Sequence, residues 1–485
     1  MEKKPNIIYF LSDQHNFAYS GFMGDEYAVT PNMDKLAREG VTFDNCYCNS
    51  PLCVPSRMSM LSGLNPSRTK ILNNMQMYPT DHVTMAHSIT NAGYETVLCG
   101  RMHFSGYDQW HGFEKRLVGD VTTSFPGIDN ELKMYGYLRG TTYQGRVGVE
   151  KVGKGCSTVL KYDELVTETA CRFLDDRTDE RPLFMIVGSY GPHSPYVAYE
   201  KWYNYYYENL PDPRNIEKEY KVSQHPAQQK WIELRDVANI PVETLKKVRA
   251  AYYAMITITD ENLGQVMKAC ERNLDMENTV IVYTSDHGDS CGEHGMFWKT
   301  NFYDGASKVP AVMSWKNHFK EGARIQNLTS LVDLAPTFIE LTGAHELPVM
   351  DGQSLVKTLT TGEEPDDKDV ISLLGDIKGD NPSAMIRRGN YKLLMHYGYD
   401  TQLFDMVADP HENNDIAKDP KYAEVVAELS EELSKWWNAE QANEDLKQAK
   451  AHYAILKDWI NNVGWKPIFE FDAKDEYNYV LSDEE

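Results

Sequence analysis

Five apolar residues run directly into four polar ones in Ile7-Ile-Tyr-Phe-Leu-Ser-Asp-Gln-His15, near the start of the chain. A strand that is buried on both faces reads as a continuous apolar run, and such strands are typical of parallel sheets. The carboxyl ends of parallel strands meet in one crevice, where α/β proteins bind their ligands. The stretch therefore predicts a central strand over 7–11, with Asp13 and Gln14 at the ligand-binding edge of a sheet.

Further apolar, β-rich runs recur along the chain at 96–99, 183–188, 279–284 and 309–314. Apolar residues at helical spacing separate these runs, most clearly over 162–175 and over 242–272, which opens after Pro241. Alternating strands and helices predict an α/β fold, in which helices sandwich a mostly parallel sheet.

The length of the chain predicts more than one structural unit. A single hydrophobic core stops growing near ~250–300 residues, and this chain has 485. We expect a catalytic α/β domain over 1–365, a smaller α+β lobe over 366–440 and a C-terminal arm over 441–485. Aromatic residues are too frequent in this arm for a disordered tail. They include Trp459, Trp465, Phe469 and Phe471. We therefore expect the arm to pack on its own or a neighbouring subunit, which predicts a homo-oligomer.

The charge balance narrows the classes of partner. The formal net charge is −23. Proteins bind nucleic acids and anionic membranes through clustered lysine and arginine, so we expect neither as a partner. No stretch approaches the ~18 unbroken apolar residues of a membrane span, and residues 7–11 are too short for a secretion signal, so we expect a cytoplasmic location. The eight cysteines show no paired metal-ligand spacing, and we expect most to be reduced and buried.

Acidic residues follow two of the predicted strands. Asp13 comes after the first strand, and Asp286 and Asp289 come after the strand at 279–284. Carboxylates at neighbouring strand ends can converge on a hard divalent cation. Each aspartate can equally cap the turn that follows it. The spacing alone leaves a metal site and a pair of capped turns as alternatives.

A more specific motif lies in Asn49-Ser-Pro-Leu-Cys53-Val-Pro-Ser-Arg57, which Ser62-Gly63 follows. A lone cysteine is more often an inert buried thiol. With Pro55, Ser56 and Arg57 in place, however, the motif resembles the C-x-P-S-R signature of the formylglycine-dependent sulfatases. The resemblance implies an alkaline-phosphatase-like fold. It also implies that a maturation enzyme, as a transient partner, oxidises Cys53 to formylglycine (3-oxoalanine), the nucleophile.

Three further motifs resemble the same family and follow in its chain order. Gly100-Arg-Met-His103 is similar to G-K-x-H, Pro192-His193-Ser-Pro195 to P-H-x-P, and Gly292-Glu-His-Gly-Met-Phe-Trp-Lys299 to a G-E-H-G run that ends in an essential lysine. The resemblance implies that Arg57 and Lys299 hold the sulfate oxygens, that His193 is the general acid and that His103 is the base restoring the aldehyde. In isolation, each of these side chains is more often structural or a solvated surface charge.

Two departures from the family pattern concern ligands. Gln14 and His287 stand where most sulfatases have a second aspartate and an asparagine or glutamine, which resembles the choline-sulfatase and phosphonate-monoester-hydrolase branch. The implied metal ligands are Asp13, Gln14, Cys53, Asp286 and His287. Ca²⁺ is the first expectation, and Mn²⁺ is competitive because imidazole suits it, with Mg²⁺ as a further alternative.

The second departure is Arg101, which replaces the usual lysine. It keeps the positive charge but presents a planar fork instead of a point donor. Asn74 aligns with a substrate-contacting asparagine of the choline-sulfatase branch, so we expect both residues to contact the substrate.

These patterns predict a sulfatase that hydrolyses a small-molecule or glycan sulfate ester, such as a carbohydrate sulfate or choline sulfate. The alternative is a phosphonate monoester or phosphodiester hydrolase on the same fold, because sulfate and phosphate esters share geometry. A third reading is a sulfate-ester binding protein without catalysis. The loops that set specificity in such a fold do not identify the substrate.

Overall fold

The computed structural model describes residues 4–122, 125, 136–375, 381–464, 471 and 473–482. Its centre is an eight-stranded sheet. In chain order the strands are β1 (Asn6–Asp13), β2 (Val41–Phe43), β3 (Glu95–Gly100), β4 (Lys115–Val118), β5 (Leu183–Pro192), β6 (Thr279–Ser285), β7 (Ala311–Trp315) and β8 (Ala323–Ile325). In space they follow the order β8-β2-β7-β6-β1-β5-β3-β4.

The first strand lies in the middle of this sheet. β1 runs parallel to both neighbours, with Ile7 beside Phe184 of β5 and Val280 of β6. Successive side chains of a strand point to opposite faces. Ile8 and Phe10 accordingly belong to one hydrophobic core, and the alternate residues of β1 belong to the other. The predicted central strand is confirmed.

Helices cover both faces of the sheet. Among the described residues, those of seven residues or more are α1 (Pro31–Arg38), α2 (Cys53–Ser62), α3 (Met85–Asn91), α4 (Thr158–Asp176), α5 (Glu200–Asn209), α6 (Pro226–Leu234), α7 (Val242–Asn273), α8 (Leu334–Thr342), α9 (Ala423–Ser434) and α10 (Ala439–Val463). The core on one face takes side chains from α1, α4, α5, α6 and α7, and the other from α2, α3 and α8. The predicted α/β sandwich is confirmed.

Two elements differ from the sequence-based expectation. β7 runs antiparallel to both of its neighbours, β2 and β6. A buried apolar run looks the same in either direction, so its sequence does not fix the strand's orientation. α4 begins at Thr158, several residues before the predicted start, because Ser157 caps the helix by accepting a hydrogen bond from the backbone N–H of Leu160 at 3.4 Å.

A second, four-stranded sheet follows the large one. Its antiparallel strands, in both chain and spatial order, are β9 (Val370–Leu374), β10 (Ser383–Arg388), β11 (Tyr391–His396) and β12 (Gln402–Asp405). α9 packs on this sheet, which agrees with the predicted α+β content. The boundaries at 365 and 440 stay predictions. Within the arm, Trp465 and Phe469 lie outside the described residues.

Shorter strands and α-helices also occur among the described residues. The two- to four-residue strands are Cys46–Tyr47, Gly153–Cys156, Val197–Ala198, Thr329–Ser330 and Tyr479–Val480. The short helices are Pro66–Thr69, Val147–Glu150, Arg214–Glu219, Asp304–Ser307 and Val356–Thr361. In the part of the chain that the structure describes, we find no helix with the length and apolarity needed to cross a membrane.

Candidate active site

The ends of two neighbouring strands and the start of one helix meet at the candidate site. β1 and β6 run in register, with Ser12 beside Ser285, so the residues that follow them emerge together. α2 begins at Cys53. Four buried residues each offer a ligand atom, and these atoms all lie within 4.8 Å of one another. They are Asp13, Cys53, Asp286 and His287.

Cys53 is the first residue of α2, and partial positive charge at a helix N-terminus favours a thiolate. The Nζ of Lys299 donates to its Sγ at 3.1 Å, and the Nε2 of His287 lies 3.3 Å from the same atom. Burial raises the pKa of the Cys53 thiol, but Lys299, His287 and hydrogen bonds from His103 and His193 bring that pKa well below its usual value. The surroundings therefore favour negative charge at this position.

Arg57 lies one helical turn after Cys53 and is fully buried. Its Nε donates to Oδ2 of Asp286 at 2.7 Å, and its Nη2 donates to Oδ2 of Asp13 at 3.1 Å. Burial raises the pKa of Asp13, yet Arg101 and Arg57 hold that pKa well below its usual value. Asp13 is therefore held as a carboxylate by two buried arginines, and Asp286 shares one of them, Arg57, as its hydrogen-bond partner.

Among the described residues, only one of the two polar atoms of the Gln14 side-chain amide has a hydrogen-bond partner. Its Nε2 donates to Oδ2 of Asp289 at 2.7 Å. Its Oε1 is buried and accepts no hydrogen bond from any residue that the structure describes. Buried acceptors are rarely left unpaired in native proteins, so this oxygen is suited to an additional ligand such as a cation.

His287 directs its Nε2 toward the same group of ligand atoms. Its Nδ1 lies 3.0 Å from the carbonyl oxygen of Gly288, which only accepts hydrogen bonds, so Nδ1 carries the proton. Its Nε2 faces Oδ1 of Asp13 at 3.7 Å and Oδ1 of Asp286 at 3.6 Å. Burial lowers the pKa of His287, but Asp286 outweighs it and raises that pKa. Neutral imidazole, carboxylate and amide oxygen form a donor set that suits a divalent cation.

His193 and Lys299 form a pair on the other side of Cys53. The Nζ of Lys299 lies 2.7 Å from Nε2 of His193, and Nδ1 of His193 donates to the carbonyl oxygen of Ser194 at 2.7 Å. Burial and the charge of Lys299 lower the pKa of His193. The imidazole is thus held with a fixed tautomer beside the thiol.

The guanidinium of Arg101 hydrogen-bonds to side chains of the protein itself. Its Nε donates to Oδ2 of Asp13 at 2.5 Å, its Nη1 to Oδ1 of Asp120 at 2.9 Å, and its Nη2 contacts Nδ1 of His103 at 2.7 Å. The guanidinium also lies 4.1 Å from the ring centre of Tyr190. Its contact with substrate stays a prediction, and in this structure the side chain orients His103 and Asp13.

Asn74 lies beside the nucleophile helix. Its Oδ1 accepts a hydrogen bond from the backbone N–H of Val54 at 3.0 Å, and the side chain is half-buried. The residue satisfies one of the unpaired N–H groups in the first turn of α2. Contact between Asn74 and the substrate stays a prediction.

Two carboxylates near the site were not singled out by the sequence. Asp120 follows β4 and holds both Arg101 and the backbone N–H of His103, the latter at 2.7 Å. Its position after a strand is a signal that could have identified it. Asp163 lies within α4 and supports the segment that leads to His193. An aspartate inside an amphipathic helix carries no signal of burial.

The mostly parallel sheet, with this buried cluster at its strand ends, defines a fold of the alkaline-phosphatase-like class. The model of the sulfatase family matches residues 5–344, and the model of the N-sulphoglucosamine sulphohydrolase C-terminal region matches residues 292–439. The chain belongs to the sulfatase family, and it is a sulfuric ester hydrolase. The resemblance on which the sequence-based prediction depended is therefore confirmed.

Individual relatives agree with this family. A choline-sulfatase from Rhizobium meliloti (strain 1021) is 30% identical over 482 residues, which cover 96% of this chain and 93% of the relative. A protein solved in complex with its substrate D-glucosamine-2-N,6-O-disulfate has a TM-score of 0.73 at 23% identity, covering 92% of this chain and 99% of that one. The phosphonate monoester hydrolase of Agrobacterium radiobacter has a TM-score of 0.74 at 22% identity, covering 89% and 95%. The two solved structures share the fold.

Proposed function

We propose that this chain hydrolyses a carbohydrate sulfate or a small alkyl sulfate such as choline sulfate, with Cys53 converted to formylglycine as the nucleophile. The observation that carries the proposal is the position of Cys53. It begins α2, and its Sγ lies within 3.3 Å of both Lys299 and His287. An oxygen of the hydrated aldehyde would take the place of this thiol sulfur.

The residues present fit a divalent cation. Asp13, Gln14, Asp286 and His287 would hold it together with the group derived from Cys53, and the unpaired Oε1 of Gln14 supports this assignment. When bound, the cation supplies positive charge that acidifies the nucleophilic hydroxyl and offsets the charge of the sulfate oxygens. Ca²⁺ is our first expectation, with Mn²⁺ and Mg²⁺ as alternatives because the set includes an imidazole.

Four further side chains would take part in the reaction. Lys299, whose Nζ donates to Sγ of Cys53 at 3.1 Å, would hold sulfate oxygens and stabilise charge in the transition state. The same role for Arg57 rests on the family resemblance, because its Nε, Nη1 and Nη2 already donate to Asp286, the carbonyl oxygen of Arg101 and Asp13. His193 would act as the general acid toward the leaving oxygen by relaying a proton that its Nε2 takes from Nζ of Lys299, the helper, at 2.7 Å. His103, which hydrogen-bonds to Cys53, would act as the base that restores the aldehyde.

The substrate class is supported by charge and by relatives. A net charge of −23 repels a polyanionic polymer over most of the surface, so a small ester that enters a local positive site is favoured. One relative is named a choline-sulfatase, and a solved neighbour binds a sulfated glucosamine. The second candidate is a phosphonate monoester or phosphodiester hydrolase, which the fold shared with a phosphonate monoester hydrolase favours.

The test combines mass and turnover. The chain is produced with a formylglycine-generating enzyme, the peptide containing Cys53 is weighed, and release of sulfate and of phosphonate is compared on matched aryl and choline esters. We expect that peptide to lose about 18 Da and sulfate release to exceed phosphonate release. Cys53→Ala should abolish both the mass shift and turnover.

A matched control separates the nucleophile from general thiol chemistry. Cys171 is half-buried in α4, so Cys171→Ala should keep full turnover. An unmodified Cys53 with turnover that survives Cys53→Ala would contradict the proposal and favour a metal-dependent phosphoesterase. Higher turnover of the phosphonate ester would favour the second candidate.

The expected homo-oligomer has one further support. Three apolar residues, Ile455, Trp459 and Val463, are 69%, 47% and 55% exposed and recur every four residues along α10. Residues at this spacing share one face of a helix, and an exposed apolar face is typical of an interface. Light scattering on Trp459→Lys should report a smaller species than the unchanged chain if the arm mediates assembly. The cytoplasmic location stays a prediction.

A further inference from the structure

The carboxylate of Asp289 connects the candidate metal site to the segment that carries Lys299. It is fully buried. Its Oδ2 accepts hydrogen bonds from Nε2 of Gln14 and from the hydroxyl of Tyr196, both at 2.7 Å. Its Oδ1 accepts from the backbone N–H groups of Cys291 and Trp298, both at 2.8 Å. All four contacts use the carboxylate as an acceptor.

The first of these contacts fixes which way the amide of Gln14 points. The carboxylate of Asp289 is the acceptor in all four contacts, so Gln14 turns its NH₂ group toward Asp289. The oxygen on the other side of the amide is then directed away from Asp289. That oxygen is the buried Oε1 for which the described residues provide no donor. An amide NH₂ in the same place could not bind a cation, whereas a carbonyl oxygen can.

We propose that Asp289 is a positioning residue that selects the orientation of the Gln14 amide, so that Oε1 and not Nε2 faces the cation. This inference rests on the proposed metal-dependent function and goes beyond it, because it assigns a role in cation binding to a residue that contributes no ligand. Groups that orient metal ligands typically change metal affinity by about 10–100-fold when they are removed.

A competing explanation is that Asp289 only holds the following segment. Cys291 and Trp298 have φ values of 44° and 57°, in the left-handed region that side chains other than glycine seldom adopt. Asp289 accepts from both of their backbone N–H groups and so stabilises this conformation. A residue with that role alone would change stability when replaced, but it would not change cation affinity in a way that depends on residue 14.

A pair of variants that exchanges the carboxylate and amide groups between positions 289 and 14 distinguishes the positioning role from the purely structural one. In Asp289→Asn the oxygen of the new amide can still accept from Cys291 and Trp298, and its NH₂ then faces Gln14. Gln14 must respond by turning its own oxygen toward Asn at 289 and its NH₂ toward the cation. In the double variant with Gln14→Glu, a carboxylate oxygen accepts from that NH₂ and the second oxygen returns to the ligand position. The total charge of the pair equals that of the unchanged chain.

The measurement is calorimetric titration of the chelator-treated full-length chain with Mn²⁺ and, separately, with Ca²⁺. We expect Asp289→Asn to weaken cation binding by about 10–100-fold. The double variant should recover affinity to within about threefold of the unchanged chain, following the same orientation argument. Tyr196→Phe is the matched control, because it removes the other donor to Oδ2 and leaves Gln14 in place, and it should bind within about twofold of the unchanged chain.

Several results would overturn the inference. Unchanged affinity in Asp289→Asn would do so, as would a folded double variant that stays as weak as Asp289→Asn, since either would leave Asp289 with a purely structural role. Circular dichroism and thermal melting establish that each variant is folded. Failure of the unchanged chain to bind either cation is a different result: it would reject the proposed metal-dependent function, whereas a change confined to the variants concerns Asp289 alone.

Discussion

The carboxylate of Asp163 accepts a hydrogen bond from the backbone N–H of Tyr190 at 2.6 Å, although the two residues lie on different elements. It also accepts from the hydroxyl of Ser189 and the backbone N–H of Gly191, both at 2.7 Å. Tyr190 in turn contacts both Arg101 and His193 with its ring. Asp163 therefore supports the segment that places the proposed general acid.

We expect Asp163→Asn to lower kcat by about 10–100-fold with little change in KM, because the new NH₂ faces backbone N–H donors and displaces the segment before His193. Steady-state kinetics on an aryl sulfate measures both parameters. Glu164→Gln is the matched control, since Glu164 adjoins Asp163 on α4 and pairs with Lys161 at 2.8 Å. A kcat unchanged by Asp163→Asn, in a folded variant, would reject this role.

Features that depend on short stretches of the chain could be predicted from the sequence, whereas Asp163 could not. The central strand and the long helix α7 follow from periodic apolar patterns, which are local properties of the chain. The proximity of Cys53, His193 and Lys299 was expected from motifs in family order, and the structure places these residues in hydrogen-bond contact. These features depend on short stretches of sequence.

The features that were missed depend on contacts between distant parts of the chain. The direction of β7 is set by its pairing with β6 and β2, which its own residues do not encode. The commitment of Arg101 to Asp13 and Asp120 could not be deduced from the replacement of a lysine by an arginine. Supporting carboxylates are recognisable only once their partners are positioned.

Glu293 should make stability depend on pH. Burial raises its pKa to about 8, which the nearby Arg249 only partly counteracts. In the unfolded chain this carboxyl has its ordinary pKa of 4.5, whereas in the folded chain it keeps its proton until about pH 8. The folded state therefore binds more protons in that interval, and the free energy of unfolding contributed by this group falls as pH rises from about 4.5 to about 8.

We expect Glu293→Gln to remove most of that dependence, because a neutral amide does not titrate. The contribution amounts to about 1.4 kcal/mol per unit of pKa shift. Urea denaturation at pH 5, 6, 7 and 8 measures the slope for both proteins. Equal slopes would show that Glu293 ionises in the folded chain as it does in the unfolded chain.

Lys392 forms a buried ion pair between the small sheet and the segment that follows the active site. Its Nζ lies 2.7 Å from Oδ1 of Asp304 and 2.6 Å from Oε1 of Glu412, and its side chain is fully buried. Lys392→Met would remove the cation beside Glu412 and leave Asp304 with the more distant Lys308 at 4.0 Å, so we expect a loss of about 3–5 kcal/mol in the free energy of unfolding. Denaturant titration of the purified variant measures this loss.

The double variant Lys392→Met, Glu412→Gln tests the electrostatic cause. Burial raises the pKa of Glu412 to about 7, so replacing this carboxyl by an amide should recover part of the lost stability. Lys418→Met is the control, because Lys418 pairs with Asp400 at the surface and should change stability by less than about 1 kcal/mol. A similar effect of both lysines would contradict the buried ion pair.

Removal of the cation should destabilise the folded chain. Asp13 and Asp286 are fully buried, and the cation would bind the native arrangement but not the unfolded chain. A cation at ~1000 times its Kd stabilises a native state by about 4 kcal/mol, so chelation should lower Tm and abolish turnover, and added Ca²⁺ or Mn²⁺ should restore both. Asp13→Asn removes a proposed ligand, so its Tm should respond little to chelator or to added cation. A Tm that chelation leaves unchanged in the unmodified chain, with full turnover, would contradict the proposed cation site.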